Sequence, residues 1–239
     1  MNIALIGYGK MGKAIEEIAC QHGHNIILKI NSSNQEELTV ENLQKAAIAI
    51  EFSNPHSAPA NLKKCFDAGV PVVCGSTGWL DQWNEITRYR EEKNGGMLYA
   101  SNFSIGVNIF FEINKQLAKL MNHHSTYDVS IEEIHHTQKK DAPSGTAISI
   151  ANDILSVLNR KEKWTLGATS NPAELSISSK RIDPAPGTHT VLYDSHIDSI
   201  QITHTAHNRL GFASGAVMAA EFMLEKHGIF TMKDVLQFH

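Results

Sequence analysis

Residues 132–147 collect side chains that can move protons, directly before a predicted helix. His135 and His136 carry imidazoles that exchange protons near neutral pH, and Lys139 can supply a proton or a positive charge. Unpaired backbone N–H groups and the helix dipole suit the start of this helix to a substrate carboxylate. The residues at that start are Ser144, Gly145 and Thr146. The stretch therefore predicts general-acid chemistry beside an anion-binding site.

The alternative interpretation is a solvated loop in which Ser144 caps the helix. Paired histidines alone favour that alternative, and His123 with His124, which have no matching partners nearby, receive no role. If His135 and His136 both lay on a strand, they would point to opposite faces of the sheet. We therefore expect His135 to be the acid and His136 to contact substrate from the loop that follows.

A second motif opens the chain, where a strand-like run leads into Gly-x-Gly-x-x-Gly. The glycines allow a tight turn, close approach of the backbone to a pyrophosphate and close packing of helix on strand. A strand before and a helix after the motif make a turn that binds nothing the weaker interpretation. The residues expected to contact the dinucleotide are Gly7, Tyr8, Gly9, Lys10, Met11 and Gly12.

The second predicted strand ends at Asn31 and Ser32, where an NAD site usually carries an acidic residue for the ribose 2′-hydroxyl. Asn31 can hydrogen-bond a hydroxyl, but it does not repel a 2′-phosphate as a carboxylate would. No arginine stands beside it to attract that phosphate, and Lys29 precedes the strand end. The choice between NADH and NADPH therefore stays open at this point.

Two further turns follow predicted strands and are candidates for contacting the nicotinamide, because ligands of open parallel sheets bind outside the carboxyl ends of the strands. Gly, Ser and Asn are also common in ordinary turns, so the pattern alone favours neither interpretation. The residues concerned are Gly75, Ser76 and Thr77 in the first turn and Ala100, Ser101, Asn102 and Phe103 in the second.

These motifs need a scaffold, and the first hundred residues alternate short apolar runs with amphipathic stretches. Strands are predicted at 3–6, 26–30, 47–52, 70–74 and 97–100, helices at 10–22, 57–68 and 81–93, and a short helix or loop at 34–45. Because parallel neighbours need long crossover connections, this alternation predicts an α/β fold with a Rossmann-type parallel sheet.

After residue 104 the regular alternation ends, and a smaller α+β domain is predicted. Its helices are expected at 108–121, where Ile109, Ile113, Leu117 and Leu120 lie near helical spacing, and from the 143–145 turn onward. Its strands are expected at 127–134, 174–181, 188–193 and 199–205. An alanine-rich helix at 214–226 is a candidate to return to the first domain.

The composition is that of a globular protein, with 42% apolar residues, 19% charged residues and a formal net charge of −4. No block of like charges predicts a nucleic-acid or membrane surface, and no apolar run approaches the ~20 residues of a membrane span. The amino-terminal residues do not resemble a secretion signal, so a cytoplasmic location is expected. Cys20, Cys65 and Cys74 lack Cys-x-x-Cys spacing, which favours buried thiols over a metal site or disulfides.

The motifs together resemble the dihydrodipicolinate reductase family over nearly the whole chain. The resemblance rests on residues 7–12, 75–78 and 102–108 and, most specifically, on His135-His136-x-x-Lys139-x-Asp141-Ala142-Pro143-Ser144-Gly145-Thr146-Ala147. Ile202-Thr203-His204 and Arg209-x-x-Phe212-Ala213-x-Gly215-Ala216-Val217 are similar to the family as well. Asn31-Ser32 departs from the acidic residue that the family often has, which affects cofactor preference rather than the reaction.

The resemblance implies reduction of 4-hydroxy-tetrahydrodipicolinate with NADH or NADPH in the diaminopimelate route to lysine, by hydride transfer and then protonation. It implies that His135 and Lys139 are proton donors, that His136, Gly145 and Thr146 bind substrate, and that residues 75–77 and 100–103 contact the nucleotide. No nucleic acid or membrane partner is implied.

The same resemblance implies a two-domain chain, usually in a homotetramer assembled through a sheet of the substrate domain. Residues 1–104 and 213–239 are then the dinucleotide-binding domain, and residues 105–212 bind substrate and form the oligomer. Two rival hypotheses remain: another dehydrogenase acting on an amino or hydroxy acid, and a nucleotide-sensing protein without turnover. Neither of these rivals needs the proton-transfer stretch at 132–147.

Overall fold

The computed structural model describes residues 1–208 and 210–238, so Arg209 of the family-like motif lies outside the described residues. The chain divides into two compact units, the first formed by Met1–Ile105 with Leu210–His239 and the second by Gly106–Arg209. The carboxy-terminal segment therefore belongs to the first unit. The assignment of nucleotide binding to one range and substrate binding to the other stays a proposal.

The regular elements follow the chain in this order. The strands are β1 (Asn2–Ile6), β2 (Asn25–Ile30), β3 (Ile48–Glu51), β4 (Val72–Cys74), β5 (Gly96–Tyr99), β6 (Asp128–His135), β7 (Lys163–Leu166), β8 (Glu174–Arg181), β9 (Gly187–Asp194), β10 (Ser199–Ala206) and β11 (Gly228–Phe230). The helices are α1 (Lys10–Gln21), α2 (Val40–Leu43), α3 (Ala58–Asp67), α4 (Trp83–Glu92), α5 (Ile105–Met121), α6 (Gly145–Leu155), α7 (Leu210–Met223) and α8 (Met232–Leu236).

The first unit is a parallel six-stranded sheet in the order β11-β5-β4-β3-β1-β2, with helices on both faces. Along β1, Ile3 and Leu5 pack on one face with α1, α7 and α8, while Ala4 and Ile6 pack on the other with α3 and α4. Because both faces are covered, the inner strands β1, β3, β4 and β5 are nearly continuous apolar runs, whereas the edge strand β2 exposes alternate residues. The predicted Rossmann-type sheet is confirmed.

The second unit is a mixed five-stranded sheet in the order β10-β9-β6-β8-β7. Helices α5 and α6 cover one face, where Val129 and Ile131 of β6 are buried. The alternate side chains of β6, among them Ser130 and Ile134, are half-buried on the other face. The predicted second α+β domain is thereby confirmed. None of the helices within residues 1–208 and 210–238 is long and apolar enough to cross a membrane.

Several element boundaries differ from the sequence prediction. Helix α5 begins three residues before the predicted start, and α7 runs over Leu210–Met223 rather than 214–226. The 34–45 segment forms a 3₁₀ turn at Gln35–Glu37 followed by α2. The short elements β7, β11 and α8 were missed because three to five residues carry too little periodicity to detect.

Of the four apolar residues that indicated α5, only Leu117 packs against the second sheet. Ile109, Ile113 and Leu120 are exposed, whereas Phe110 and Met121 pack against the second sheet. Two apolar stripes run along this helix, so helical spacing identified the element without identifying its buried face.

Candidate functional site

The glycine-rich loop leaves β1 and enters α1 within a single turn. The N–H groups of Gly7 and Tyr8 both donate to the carbonyl of Ile30 at the end of β2, at 2.9 and 2.7 Å. Gly7 has φ +99°, and a Cβ there would lie 2.2 Å from the carbonyl oxygen of Phe52. Only glycine fits this position, so the loop is held in the shape that a phosphate cradle needs.

The start of α1 fits the pyrophosphate of a dinucleotide. Gly9 is the N-cap residue and offers no side chain to the first N–H groups of the helix. A Cβ at Gly12 would lie 2.7 Å from the carbonyl oxygen of Gly7, so helix and loop pack backbone to backbone. Free N–H groups and the positive end of the helix dipole are the features that bind a phosphate anion.

The sheet brings the other predicted nucleotide residues to the same edge. Strands β1, β3, β4 and β5 are parallel neighbours, so the turns after them share one end of the sheet. The chain order reverses between β1 and β3, which is the topological switch point where open α/β sheets bind ligands. The predicted residues at this edge are Gly7 to Gly12, Gly75, Ser76, Thr77, Ala100, Ser101, Asn102 and Phe103.

Phe52, which the sequence prediction missed, joins three of these turns. Besides its contact with Gly7, its ring occupies the space that a Cβ at Gly75 would need, at 2.2 Å, and lies 5.4 Å from the ring of Phe103. The detectable signal was an aromatic residue at the end of the third predicted strand.

Glu51, also missed, is a fully buried carboxylate at the end of β3. It accepts hydrogen bonds from the N–H of Ser53, the amide of Asn61 and the thiol of Cys74. Burial first and the Glu51 charge second raise the pKa of the Cys74 thiol well above its usual value. Cys74 is therefore an inert structural thiol. The hydroxyl of Ser76 accepts from the N–H of Ser53, which ties the 75–77 turn to this network.

Asn31 stands at the end of β2, as expected, with its side-chain oxygen already engaged. That oxygen accepts from the N–H and the hydroxyl of Ser33, at 2.7 and 2.6 Å, and Ser32 is exposed at the tip of this turn. The nearby Lys29 pairs with Glu16 at 2.6 Å and lies over the ring of Tyr8. Lys29 is thus a neighbour of the glycine loop.

The proton-transfer residues gather in the second unit, where β6 ends at His135. His135 is 7% exposed, whereas His136 is half-buried in the following loop. The two histidines therefore avoid opposite faces of one strand because the strand stops between them. The Lys139 ammonium lies 2.9 Å from the carboxylate of Asp141, which is exposed.

Ser144 is the N-cap residue of α6. The hydroxyl of Ser144 accepts from the N–H of Ala147 and lies 3.1 Å from Nε2 of His189. The backbone N–H of Ser144 donates to both carboxylate oxygens of Glu133, at 3.1 Å each. Ser144 is buried by these contacts, while Gly145 is exposed and Thr146 half-buried at the first turn.

Glu133 lies at the centre of a cluster formed with His135, Ser144, Ser179, Arg181 and His189, and strand register places it there. Parallel pairing with β8 places Ser179 opposite Glu133 and Arg181 opposite His135, and antiparallel pairing with β9 places His189 opposite Glu133. Directly paired residues share a face of the sheet. The carboxylate accepts a 2.8 Å hydrogen bond from Ser179 and lies 3.4 Å from the guanidinium of Arg181 and 3.7 Å from His189.

These surroundings set the charge states of the cluster. Burial acts to raise the pKa of Glu133, but the contacts with His189, Ser144 and Ser179 outweigh it and hold that pKa well below its usual range. Burial lowers the pKa of His135 to about 4, against the attraction of the Glu133 charge. Without ligand, the cluster therefore holds an ionised carboxylate beside a neutral imidazole.

Comparison with known proteins identifies the family. The family model for the amino-terminal part of dihydrodipicolinate reductase matches residues 1–103, and the model for its carboxy-terminal part matches residues 106–236. The chain belongs to the dihydrodipicolinate reductase family. Members of this oxidoreductase family are pyridine-nucleotide-dependent and carry a Rossmann-type domain, as found here.

Individual members of the dihydrodipicolinate reductase family support this. The chain is 48% identical over 240 residues to the 4-hydroxy-tetrahydrodipicolinate reductase of Christiangramia forsetii, covering 99% of this chain and 98% of that protein. It is 35% identical to the enzyme of the same name from Methanosarcina acetivorans, covering 98% and 88%. The solved dipicolinate-bound dihydrodipicolinate reductase from Paenisporosarcina sp. TG-14 shares the fold, with a TM-score of 0.77, 24% identity and 97% coverage of both chains.

The sequence analysis assigned no role to three residues that surround His135. They are Glu133, Arg181 and His189. Glu133 lay inside the stretch that was singled out, but Arg181 and His189 come from strands about fifty residues away. Only the pairing of β6 with β8 and β9 brings them to His135.

Proposed function

We propose that this protein reduces 4-hydroxy-tetrahydrodipicolinate to tetrahydrodipicolinate with a nicotinamide dinucleotide, a step of lysine biosynthesis through diaminopimelate. A relative that is 48% identical over 99% of this chain carries the name of this activity. The observation that carries the proposal is the clustering of His135, Lys139 and the start of α6 in one small part of the second unit. That arrangement offers a proton and a site for a carboxylate together.

The residues of the second unit divide the chemistry as follows. The N–H of Gly145, the hydroxyl of Thr146 and the side chain of His136 hold the substrate. Lys139 adds a positive charge, because its exposed partner Asp141 contributes little binding energy and can give way to a substrate carboxylate. We leave Ser144 with the capping role that its contacts give it, rather than direct substrate binding.

Proton delivery completes the reaction. Once the 4-hydroxyl has left as water, the bound dinucleotide would supply a hydride to C4 of the resulting unsaturated ring. His135 or Lys139 then donates a proton to the resulting enamine carbon. A buried imidazole and a half-buried ammonium in one cluster give the site two candidate donors for this step.

The nucleotide residues are proposed to be those at the switch-point edge of the first sheet. The start of α1 holds the pyrophosphate, Asn31 and Ser32 face the adenosine ribose, and the turns at 75–77 and 100–103 approach the nicotinamide. Since the oxygen of Asn31 is engaged by Ser33, a ribose hydroxyl or phosphate would meet its amide N–H groups. An amide N–H can donate a hydrogen bond to a hydroxyl or to a phosphate, so we propose that the enzyme uses both NADH and NADPH.

Asn31→Asp is expected to shift the preference of the enzyme toward NADH. The carboxylate keeps the turn onto Ser33 but repels a 2′-phosphate. An added repulsion of about 1 kcal/mol corresponds to roughly fivefold in affinity at the surface of a protein. The ratio of kcat/KM for NADPH and NADH should fall by about that factor. An unchanged ratio would show that Asn31 does not face the 2′ position.

We also propose a homotetramer in the cytoplasm. The oligomer is supported by one face of the second sheet, where side chains such as Ser130, Ile134 and Leu192 are half-buried. A second copy of the chain could cover this face. Sedimentation equilibrium on the full chain measures the assembly directly.

The activity is tested by generating the substrate from pyruvate and aspartate semialdehyde with the preceding synthase, then following oxidation of NADH and NADPH in parallel. Oxidation that requires both the substrate and this protein is the expected result. Protein that binds a nucleotide but oxidises neither would indicate a different dehydrogenase or a nucleotide sensor.

A further inference from the structure

Given the proposed reaction, on which this inference rests, a proton donated by His135 needs a source. We propose that Glu133 is a positioning residue that acts through His135, enabling its imidazole to take up a proton from solvent when a dicarboxylate binds. Arg181 shares this role by holding the Lys139 loop against the same carboxylate.

The contacts of Glu133 reach every part of the cluster. The carboxylate is fully buried and binds the N–H of Ser144, so it fixes the start of α6. Glu133 also contacts the guanidinium of Arg181. That guanidinium donates to the carbonyl oxygens of Lys139, at 3.2 Å, and of Asp141, at 2.6 Å, so Glu133 is linked to the loop that carries Lys139. One side chain therefore joins the anion site, the lysine loop and both buried imidazoles.

His135 is placed to respond to charge. Its Nδ1 lies 3.5 Å from the Glu133 carboxylate, and among the described residues it has no hydrogen-bond partner. The charged and titratable groups that face it are Glu133 from β6, His189 from β9, Arg181 from β8 and Lys139 from the loop. Burial and the three basic groups disfavour a proton on His135, and Glu133 alone favours it.

A dicarboxylate changes this balance. Its two negative charges would offset the positive charges of Lys139 and Arg181, which leaves the Glu133 charge to stabilise an imidazolium at His135. One proton then moves from solvent to the His135 imidazole on binding. After hydride transfer that proton passes to the substrate carbon, and the imidazole returns to its neutral form, so protons and charge balance over the cycle.

The experiment measures proton uptake directly. Pyridine-2,6-dicarboxylate is titrated into the full-length protein with bound nucleotide, by calorimetry at pH 7 in buffers of different ionisation enthalpy. The slope of binding enthalpy against buffer enthalpy gives the protons taken up. We expect net uptake by the unmodified protein and at least roughly threefold less by Glu133→Gln, because an opposite charge at this distance favours protonation by 1–3 pH units.

The pH dependence of kcat/KM supplies a readout that a purely structural role would not move. Loss of the Glu133 charge makes His135 give up its proton at lower pH. The alkaline limb of the profile should therefore move toward lower pH by about 1–2 units in Glu133→Gln. Glu162→Gln is the matched control, since Glu162 is an exposed carboxylate of the second unit outside this cluster.

If Glu133→Gln does not fold, His135→Gln tests the same proposal, because it removes the proton acceptor and keeps the carboxylate. Loss of uptake in this variant supports the proposal, and uptake equal to that of the unmodified protein overturns it. The proposal is also overturned if folded Glu133→Gln takes up as many protons as the unmodified protein and the alkaline limb of its pH profile does not move. An unmodified protein that oxidises NADH or NADPH but shows no uptake refutes this inference alone, whereas absence of turnover refutes the proposed function.

Discussion

His135→Ala and Lys139→Ala should each lower kcat by about 10²–10⁴-fold, the usual cost of removing a general acid. The first variant removes the buried imidazole at the end of β6, and the second removes the ammonium from the adjoining loop. Neither residue belongs to the first unit, so the affinity for NADH, measured by fluorescence titration, should stay nearly unchanged. Steady-state kinetics with substrate generated in situ gives kcat.

Matched controls come from the same residue types. His124 and Lys140 are exposed and have no proposed role, so His124→Ala and Lys140→Ala should retain kcat within about twofold, the small effect usual for surface substitutions. Unmodified turnover in both His135→Ala and Lys139→Ala would reject their assignment as proton donors. A large loss in only one of them would identify which residue delivers the proton.

The largest effect on stability is expected from Gly215→Ala, at about 3 kcal/mol in the free energy of unfolding. A Cβ at Gly215 would lie 1.8 Å from the carbonyl oxygen of Phe103, so α7 could no longer pack as closely on the 100–103 turn. The obstacle is backbone, which cannot turn aside as a flexible side chain would. Urea denaturation followed by circular dichroism measures the change.

Gly211→Ala is the control within the same helix. One turn before Gly215, a Cβ would meet only the Ser104 hydroxyl at 3.7 Å, an ordinary contact. Alanine is favoured over glycine in a helix by up to about 1 kcal/mol, so this variant should be as stable as the parent or slightly more stable. Equal destabilisation of both variants would contradict the close packing at Gly215.

Local sequence patterns determined much of the first unit. The apolar runs that became β1, β3, β4 and β5 were predictable because a parallel strand covered on both faces needs apolar side chains at nearly every position. The glycine loop was predictable because its Gly-x-Gly-x-x-Gly spacing lies within six consecutive residues. The first dozen residues therefore indicate the cradle from Gly7 to Gly12, although contacts with Ile30 and Phe52 hold its shape.

The proton-transfer cluster was predictable only in part. His135, His136 and Lys139 stand in one continuous stretch, and their proximity follows from the chain itself. Which histidine is buried depended on where β6 ends, and that is set by its pairing with β8 and β9. The role of Ser144 was likewise decided by a carboxylate eleven residues before it.

Residue types and spacing were thus enough to predict a dinucleotide loop, two imidazoles, a lysine and a helix start suited to an anion. Tertiary structure alone decided the electrostatic setting of that chemistry. Strand register brought Arg181 and His189 to Glu133, and burial of the cluster lowered the pKa of His135. Composition and spacing describe neighbours along the chain, whereas desolvation and charge interactions depend on neighbours in space.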